Sequence, residues 1–345
     1  MPTTEFGLDG ALHATKVHRP RVDGGHVPRP RLFHRLDLGA RGPLTLVSAP
    51  TGFGKTTLVA EWLASQWQGP SAWVSLDAGD NDPGLFWAYV GVALDGCGTP
   101  VSDELLPLIF SPTPPPEGSV VSRLIRAVEG LEQDVVLALD DFHEIDRPEV
   151  HRAVAALVEQ APRRLHLVVL SRGKLPFAVG RLRARGRLVE VGADDLRFDG
   201  GEAAAFLRER VGAPVSPAAA EGLTARTEGW IAGLQLASLS VRDSGDIDSA
   251  ASAFAGDHPH VAELLVEEVL DRQDPALRTF LLRTSILDRF CGALCDAVTG
   301  ESGSGERQRE LRLRQMFLVD LDSEGRWYRW HNLLSEMLRE RLARR

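Results

Sequence analysis

One stretch limits the fold before composition is weighed. Leu44-Thr-Leu-Val-Ser48 is a short apolar, β-branched run that passes directly into Ala49-Pro-Thr-Gly-Phe-Gly-Lys-Thr-Thr57. From Thr56 to Gln66 the apolar residues Leu58, Val59, Trp62 and Leu63 then fall at helical spacing. Strand, glycine loop and helix in that order match the phosphate-binding P-loop, with Ala49 where glycine is usual. A loop that opens a helix turns successive backbone N–H groups inward as an anion nest, and the helix dipole adds positive potential. The candidate nucleotide-binding residues are therefore Thr51, Gly52, Phe53, Gly54, Lys55, Thr56 and Thr57. Gly52 and Gly54 let the backbone approach the phosphates, Lys55 reaches the β- and γ-phosphates, and the Thr56 hydroxyl holds Mg2+.

The second half of such a site is a carboxylate at the end of a buried strand, and Val135-Val-Leu-Ala-Leu139 delivers Asp140 and Asp141 there. Asp140 is expected to hold Mg2+, and Asp141 to polarise the attacking water, which makes the chain an ATPase rather than a kinase. Ser171-Arg172 ends the next strand, Leu165 to Leu170, and is expected beside the P-loop, where an arginine can sense the γ-phosphate and stabilise transition-state charge.

Further apolar runs at Ala72 to Leu76 and Leu188 to Val191 alternate with helical patterns at Phe86, Val90 and Leu94 and at Val120 to Leu131. Continuous apolar strands alternating with helices indicate an α/β fold, a parallel sheet buried on both faces. The expected domains are a lead-in over 1–42 with a short helix at Pro30 to Leu36, and a P-loop nucleotide-binding domain over 43–197. A helical domain over 198–257 has helices at Gly201 to Val211, Pro217 to Arg226 and Trp230 to Val241. The winged-helix-like domain over 258–345 starts with helices at Val261 to Leu270 and Pro275 to Leu282. It ends with a hairpin of Phe317 to Leu321 and Trp327 to Trp330, then a helix carrying Leu334, Leu338 and Leu342. Ser111 to Glu117 and Asp243 to His260 read as loops.

With 43% hydrophobic and 25% charged residues, the 345-residue chain is neither disordered nor fibrous. A net charge of -9 argues against a general nucleic-acid coat. Residues 162–187 nonetheless carry arginines and one lysine without a single acid. That segment reads as a nucleic-acid patch or, since Phe177 alone among its residues is a Phe, Tyr or Trp, preferably as an interdomain or nucleotide-facing surface. Three cysteines fit a reducing cytoplasm, and Cys291 and Cys295 lack the second pair a zinc site needs. No signal-peptide core and no run of about eighteen apolar residues is present, so no membrane partner is expected. The acidic turn Asp77, Asp80, Asn81, Asp82 lacks the Gly and Glu of a calcium loop. His331, between Trp330 and a helix, is placed either to touch a diphosphate or to pack and cap. Trp327, Tyr328 and Trp330 read as core or interface.

The P-loop, the Asp-Asp strand, Ser171-Arg172, Gly229-Trp230-Ile-Ala-Gly233-Leu234 and Arg329-Trp-His-Asn-Leu-Leu334 occur in order. With the phrases SLDAGDNDP, FWAYV, VVLALDDFHEI, LVVLSR and LRARGRL, the chain resembles the ATPase core of MalT-like, LuxR-type large ATP-binding transcriptional regulators. These are STAND signal-transduction ATPases, and the resemblance covers Lys16 to Leu342. It implies a winged-helix domain that closes over ADP at rest, with ATP favouring opening and self-association and with slow hydrolysis resetting the state. It also implies a sensor and a helix-turn-helix in a longer parent chain, and a winged helix that regulates rather than binds DNA directly. Carried over, Lys55, Thr56 and Asp140 bind Mg-nucleotide, Asp141 supports hydrolysis, Arg172 is the sensor arginine, and His331 resembles the histidine that contacts the ADP β-phosphate. Trp230 occupies the place of an adenine contact, with Ile231 near a missing proline, and Val27 and Arg29 resemble residues near the adenine. The alternative is a stand-alone P-loop ATPase of remodelling or chaperone type, which should turn over rapidly.

Overall fold

Three strands are buried at every position: Leu44–Ser48 (β1), Val135–Asp140 (β3) and Leu165–Ser171 (β4). Such strands need neighbours on both edges and helices on both faces. With Ser71–Ser75 (β2) and Leu188–Val191 (β5) they form a parallel sheet in the order β2-β3-β4-β1-β5. The register pairs Ser48 with Ser171 and Ser75 with Asp140, so the strand ending in Ser171-Arg172 lies directly beside the strand that feeds the P-loop. The carboxylate strand stands one place further on.

The computed structural model describes residues 12–22, 26–98, 100–112, 118–160, 162–212, 214–244, 254–256 and 258–344. Most of the expected loops at 111–117 and 243–260 and much of the lead-in lie outside them. The described chain divides into two units, one of 12–22, 29–48 and 55–192, the other of 26–28, 49–54 and 193–344.

In the first unit the sheet packs against helices that include Pro30–Gly39 (α1), Lys55–Ser65 (α2), Pro83–Asp95 (α3), Val101–Ile109 (α4), Ser119–Glu129 (α5) and Pro148–Gln160 (α6). Phe86, Val90 and Leu94 are fully buried with Val101, Leu105, Leu124 and Leu137 in one core, each such side chain contributing roughly 1.5–3 kcal/mol. Helix α4 escapes the sequence pattern because Pro107 stands inside it. The lead-in is anchored by Lys16, whose ammonium lies 2.7 Å from both the Asp77 and the Asp80 carboxylates, while the His13 N–H donates to the Tyr89 hydroxyl at 3.0 Å. The acidic turn therefore binds a lysine of its own chain and caps its own short helix.

The second unit contains Gly200–Val211 (α9), Pro217–Thr227 (α10) and Ile231–Ser244 (α11), preceded by the short Gly180–Ala184 (α7) in the first unit and Ala193–Leu196 (α8). A capping box of Asp199 and Glu202 starts α9, and Ser216 caps α10. Pro259–Leu265 (α12) runs into a π-helical turn, Val266–Leu270, followed by Pro275–Thr284 (α13), Gly292–Thr299 (α14) and Ser304–Leu313 (α15). The hairpin Leu318–Asp320 (β6) and Tyr328–Trp330 (β7) gains a third partner where Phe290 and Tyr328 exchange backbone hydrogen bonds of 2.8 and 2.9 Å. Helix Asn332–Ala343 (α16) follows. Cys295 is buried, accepts from the Gln308 amide at 3.1 Å and has its thiol pushed up to about 11 by burial, so it acts as a core residue. Tyr328 and Trp330 are core too, while Trp327 is exposed. Among the described residues no helix is long and apolar enough to cross a membrane.

Candidate nucleotide-binding site

In the first unit, Lys55 is the first residue of α2 and is buried. One residue on, the Thr56 hydroxyl donates to both Asp140 carboxylate oxygens at 3.0 and 3.1 Å; Thr57 is exposed. Asp140 is buried at the end of β3, and burial, then the neighbouring Asp141 charge, push its carboxyl up to about 6. The chain turns at Asp141 into left-handed backbone, φ 55 and ψ 38, which Asp tolerates better than most residues. Its N–H donates back to Asp140 at 3.1 Å and its own side chain is half exposed. Two adjacent carboxylates thus sit in different environments, one buried and one wet. Beside them the Ser48 hydroxyl donates to the Gly173 carbonyl at 3.1 Å, which ties the end of β1 to the turn holding the half-buried Arg172.

The hydroxyl of Thr56 and the carboxylate of Asp140 are hard oxygen donors of the kind Mg2+ takes. Among the described residues no group of three or more His, Cys, Asp or Glu forms a metal site.

In the second unit, the loop at 49–54 is held tightly. Gly52 and Gly54 have φ of 78 and 76, open only to glycine without strain. A Cβ on Gly52 would stand 2.6 Å from the Ala232 Cβ and 2.8 Å from the Trp230 indole nitrogen, and one on Gly54 2.8 Å from Ile231. The Ala232 N–H donates to the Gly52 carbonyl and the Trp230 indole N–H to the Thr51 carbonyl, both at 3.0 Å. The Thr51 hydroxyl donates to Glu268 on the π-helical turn at 3.3 Å. Phe53 is buried 6.2 Å from the Phe317 ring, and Phe317 lies edge-on to Trp230 at 5.3 Å and to His331 at 5.6 Å. Both glycines therefore serve close packing against the start of α11 as well as loop curvature.

His331 is 1% exposed. Its Nε2 faces the Thr227 carbonyl at 3.0 Å, and burial pushes the ring down to about 4, so it is neutral at pH 7. Next to Thr227, Glu228 takes left-handed backbone and accepts from Arg329 at 2.6 and 2.9 Å, from Arg197 at 3.2 Å and from the Asn332 N–H at 2.9 Å. Burial opposes its charge, yet these donors hold the carboxyl down at about 2. Val27 is half-buried, and Arg29 is buried at the start of α1.

The structure thus gathers Thr51, Gly52, Phe53, Gly54, Trp230 and His331 in one unit, with Val27, and Lys55, Thr56, Thr57, Asp140, Asp141 and Arg172 in the other, with Arg29. Glu228, Thr227, Phe317 and Glu268 were not singled out in the sequence, since no local motif marks a residue whose partners come from separate elements. One reading is corrected. Arg163, Arg164 and Arg187 precede β4 and β5, at the strand ends opposite Asp140, so these three do not face the candidate site, whereas Arg172 of the same segment stands at the Asp140 end.

A model of the MalT winged helix domain matches residues 266–345. The HTH-type transcriptional regulator MalT of Cronobacter sakazakii is 33% identical over 334 residues, 96% of this chain and 37% of that protein. The serine/threonine-protein kinase PknK of Mycobacterium tuberculosis is likewise 33% identical over 96% of this chain and 30% of its own length. The chain spans about a third of the length of these relatives. A Walker-type ATPase of Pyrococcus abyssi shares the fold, with a TM-score of 0.61 at 18% identity over 93% of this chain and 98% of that one. The parallel P-loop sheet, the matched C-terminal domain and this similarity along nearly the whole chain identify it as a MalT-like P-loop NTPase.

Proposed function

We propose that this chain is an ATP- and ADP-dependent signalling switch of a transcriptional regulator, ADP-bound at rest and ATP-bound and self-associating when active. The observation that carries this reading is the hold on the phosphate loop. The carbonyls of Thr51 and Gly52, the Thr51 hydroxyl and the Phe53 ring are all engaged by residues of 230–317. A ligand shifts a conformational equilibrium by its differential affinity for the two states, and a phosphate loop tied to the residues that follow it lets its occupant exert such a bias. Domain limits at 43–197, 198–257 and 258–345 belong to the same proposal, as do a sensor and a helix-turn-helix in the parent chain. The winged helix regulates and does not bind DNA.

In this reading Lys55 and the loop N–H groups hold the phosphates, and Thr56 and Asp140 hold Mg2+, which when bound neutralises phosphate charge. Asp141, half exposed beside the buried Asp140, orients water and takes its proton as ATP and water become ADP and phosphate. Arg172 stabilises charge on the transferring phosphoryl group, His331 contacts the β-phosphate, and Trp230, Val27 and Arg29 lie near the adenine. Hydrolysis is slow and resets the switch.

The test is to purify the chain without added nucleotide, denature it and identify what is released by chromatography. Near one ADP per chain with slow turnover supports the switch. An empty protein that hydrolyses added ATP rapidly overturns it in favour of a stand-alone ATPase.

A further inference from the structure

We propose that a cleft at the N-terminal ends of the strands is a second anion site, built for a small phosphorylated molecule and separate from the nucleotide site. The cleft has a volume of about 250 Å3 and is lined by Arg41 to Pro43 before β1, Asp134 before β3, Pro162 to His166 leading into β4, and Arg187 before β5. The phosphate loop, Asp140 and Arg172 follow the other ends of the same strands. Ligands of open parallel sheets sit at those carboxyl ends, so a concave basic site at the amino ends is separate from the nucleotide site.

Four arginines and one aspartate line it in a chain of net charge -9. Arg164 donates to the Glu132 carbonyl at 2.6 Å and lies 3.8 Å from Asp134. Arg41, Arg163 and Arg187 are exposed, and none makes a hydrogen bond or ion pair with its side chain among the described residues. By contrast, nearby Arg183 is bidentate on Glu190 at 2.7 and 2.9 Å. Guanidinium groups match phosphate oxygens in pairs, and several around one concavity concentrate positive potential.

The backbone beneath is fixed. The Arg164 carbonyl accepts from Val135 at 2.7 Å, and the Pro43 carbonyl from Leu167 at 3.0 Å. His166 is buried in the floor with Nδ1 on the Gly42 carbonyl and Nε2 3.0 Å from the Thr45 hydroxyl, which ties β4 to the start of β1. The occupant is small because the volume is small and because the only aromatic in the lining is this engaged His166 ring. A nucleic-acid groove would offer bases a stacking platform.

The experiment titrates inorganic pyrophosphate calorimetrically, without Mg2+, into the chain carrying Lys55→Ala, which disables the phosphate loop. Saturable binding is expected there. Adding Arg163→Gln and Arg187→Gln weakens it about tenfold, the corresponding Lys pair weakens it less, and ATP binding to the Gln pair in the Lys55 background of the natural chain is unchanged. Because both side chains are exposed, retained ATP binding also shows that the fold is intact. No pyrophosphate binding to the Lys55→Ala chain, or equal binding by the Gln pair, overturns the site. So does a single-stranded oligonucleotide that binds through these arginines while pyrophosphate does not, which makes the surface a nucleic-acid one.

Discussion

The Nε2 atom of His331 lies 3.0 Å from the carbonyl oxygen of Thr227, and a carbonyl can only accept. The ring hydrogen therefore sits on Nε2, and in the neutral ring Nδ1 is a bare lone pair. That atom is buried and has no hydrogen-bond partner among the described residues. A lone pair repels a phosphate oxygen, so the proposed contact requires a proton that the free protein does not hold at pH 7.

ADP binding is accordingly expected to take up a proton. The ring titrates at about 4 when free, and a phosphate partner raises that value. The histidine's contribution to affinity is then largest at low pH and fades as pH rises through the bound value. Calorimetry in buffers of different ionisation enthalpy should show uptake approaching one proton near pH 6, absent in His331→Ala. The same variant should release ADP roughly 10-fold faster, as expected for loss of one charge-assisted hydrogen bond. Unchanged ADP dissociation removes His331 from the site, while faster release without proton uptake shows a tautomer change instead.

Glu228 holds the residues around that histidine in register, since its carboxylate collects Arg329, Arg197 and the N–H that opens α16. Its value falls from 4.5 unfolded to about 2 folded. The stability it confers is thus present in full above pH 4.5 and is lost as pH falls from 4.5 towards 2. Glu228→Gln should cost roughly 3 kcal/mol at pH 7 by breaking a largely buried pair. In urea titrations the gap to the natural chain should close on acidification through that window. A constant gap from pH 7 to pH 3 would show that the carboxylate charge is not what matters.

How much of this was legible follows from where each signal resides. The P-loop and Asp140 were readable because strand, turn and carboxylate are contiguous, and an apolar run fixes which end of the strand they occupy. Glu228 was not, because its partners come from the residue after α8, from β7 and from α16, and nothing within a few residues of it announces left-handed backbone. Helix α15 was missed because it buries only Ser304, Gln308 and Leu311 and so carries no apolar stripe. Phe317 read as the first residue of a strand, whereas it has φ 53 and the strand begins at Leu318. Left-handed backbone there accompanies an aromatic contact with Phe53, more than 260 positions away, which no periodicity encodes.

Asp140 supplies a test of opposite sign. Its carboxyl is raised from 3.8 to about 6, so the folded chain binds a proton more tightly than the unfolded one. Without Mg2+ its effect is to lower stability as pH rises from about 4 to about 6, and to leave that cost in place above. Asp140→Asn in chelator should therefore gain roughly 3 kcal/mol at pH 7, with no gain near pH 4, and should lose the effect of Mg2+ on nucleotide affinity. If chelated Asp140→Asn is no more stable than the natural chain at pH 7, the buried carboxylate is already compensated.

The adjacent carboxylate separates binding from chemistry. Asp141 is half exposed, its side chain makes no cap for the short helix it precedes, and its backbone is left-handed at φ 55. Alanine would strain that backbone, whereas asparagine tolerates it and keeps the shape while losing the basic oxygen. Asp141→Asn should bind ATP within about twofold of the natural chain, because binding rests on the loop and Lys55, yet hydrolyse it on the order of 100-fold more slowly, as expected for removal of a general base. Lys55→Ala should lose binding itself. Single-turnover hydrolysis with prebound ATP distinguishes the two, since the Asp141 variant then holds ATP without cleaving it. Cleavage at the natural rate would assign the water to another group and leave Asp141 as a turn residue.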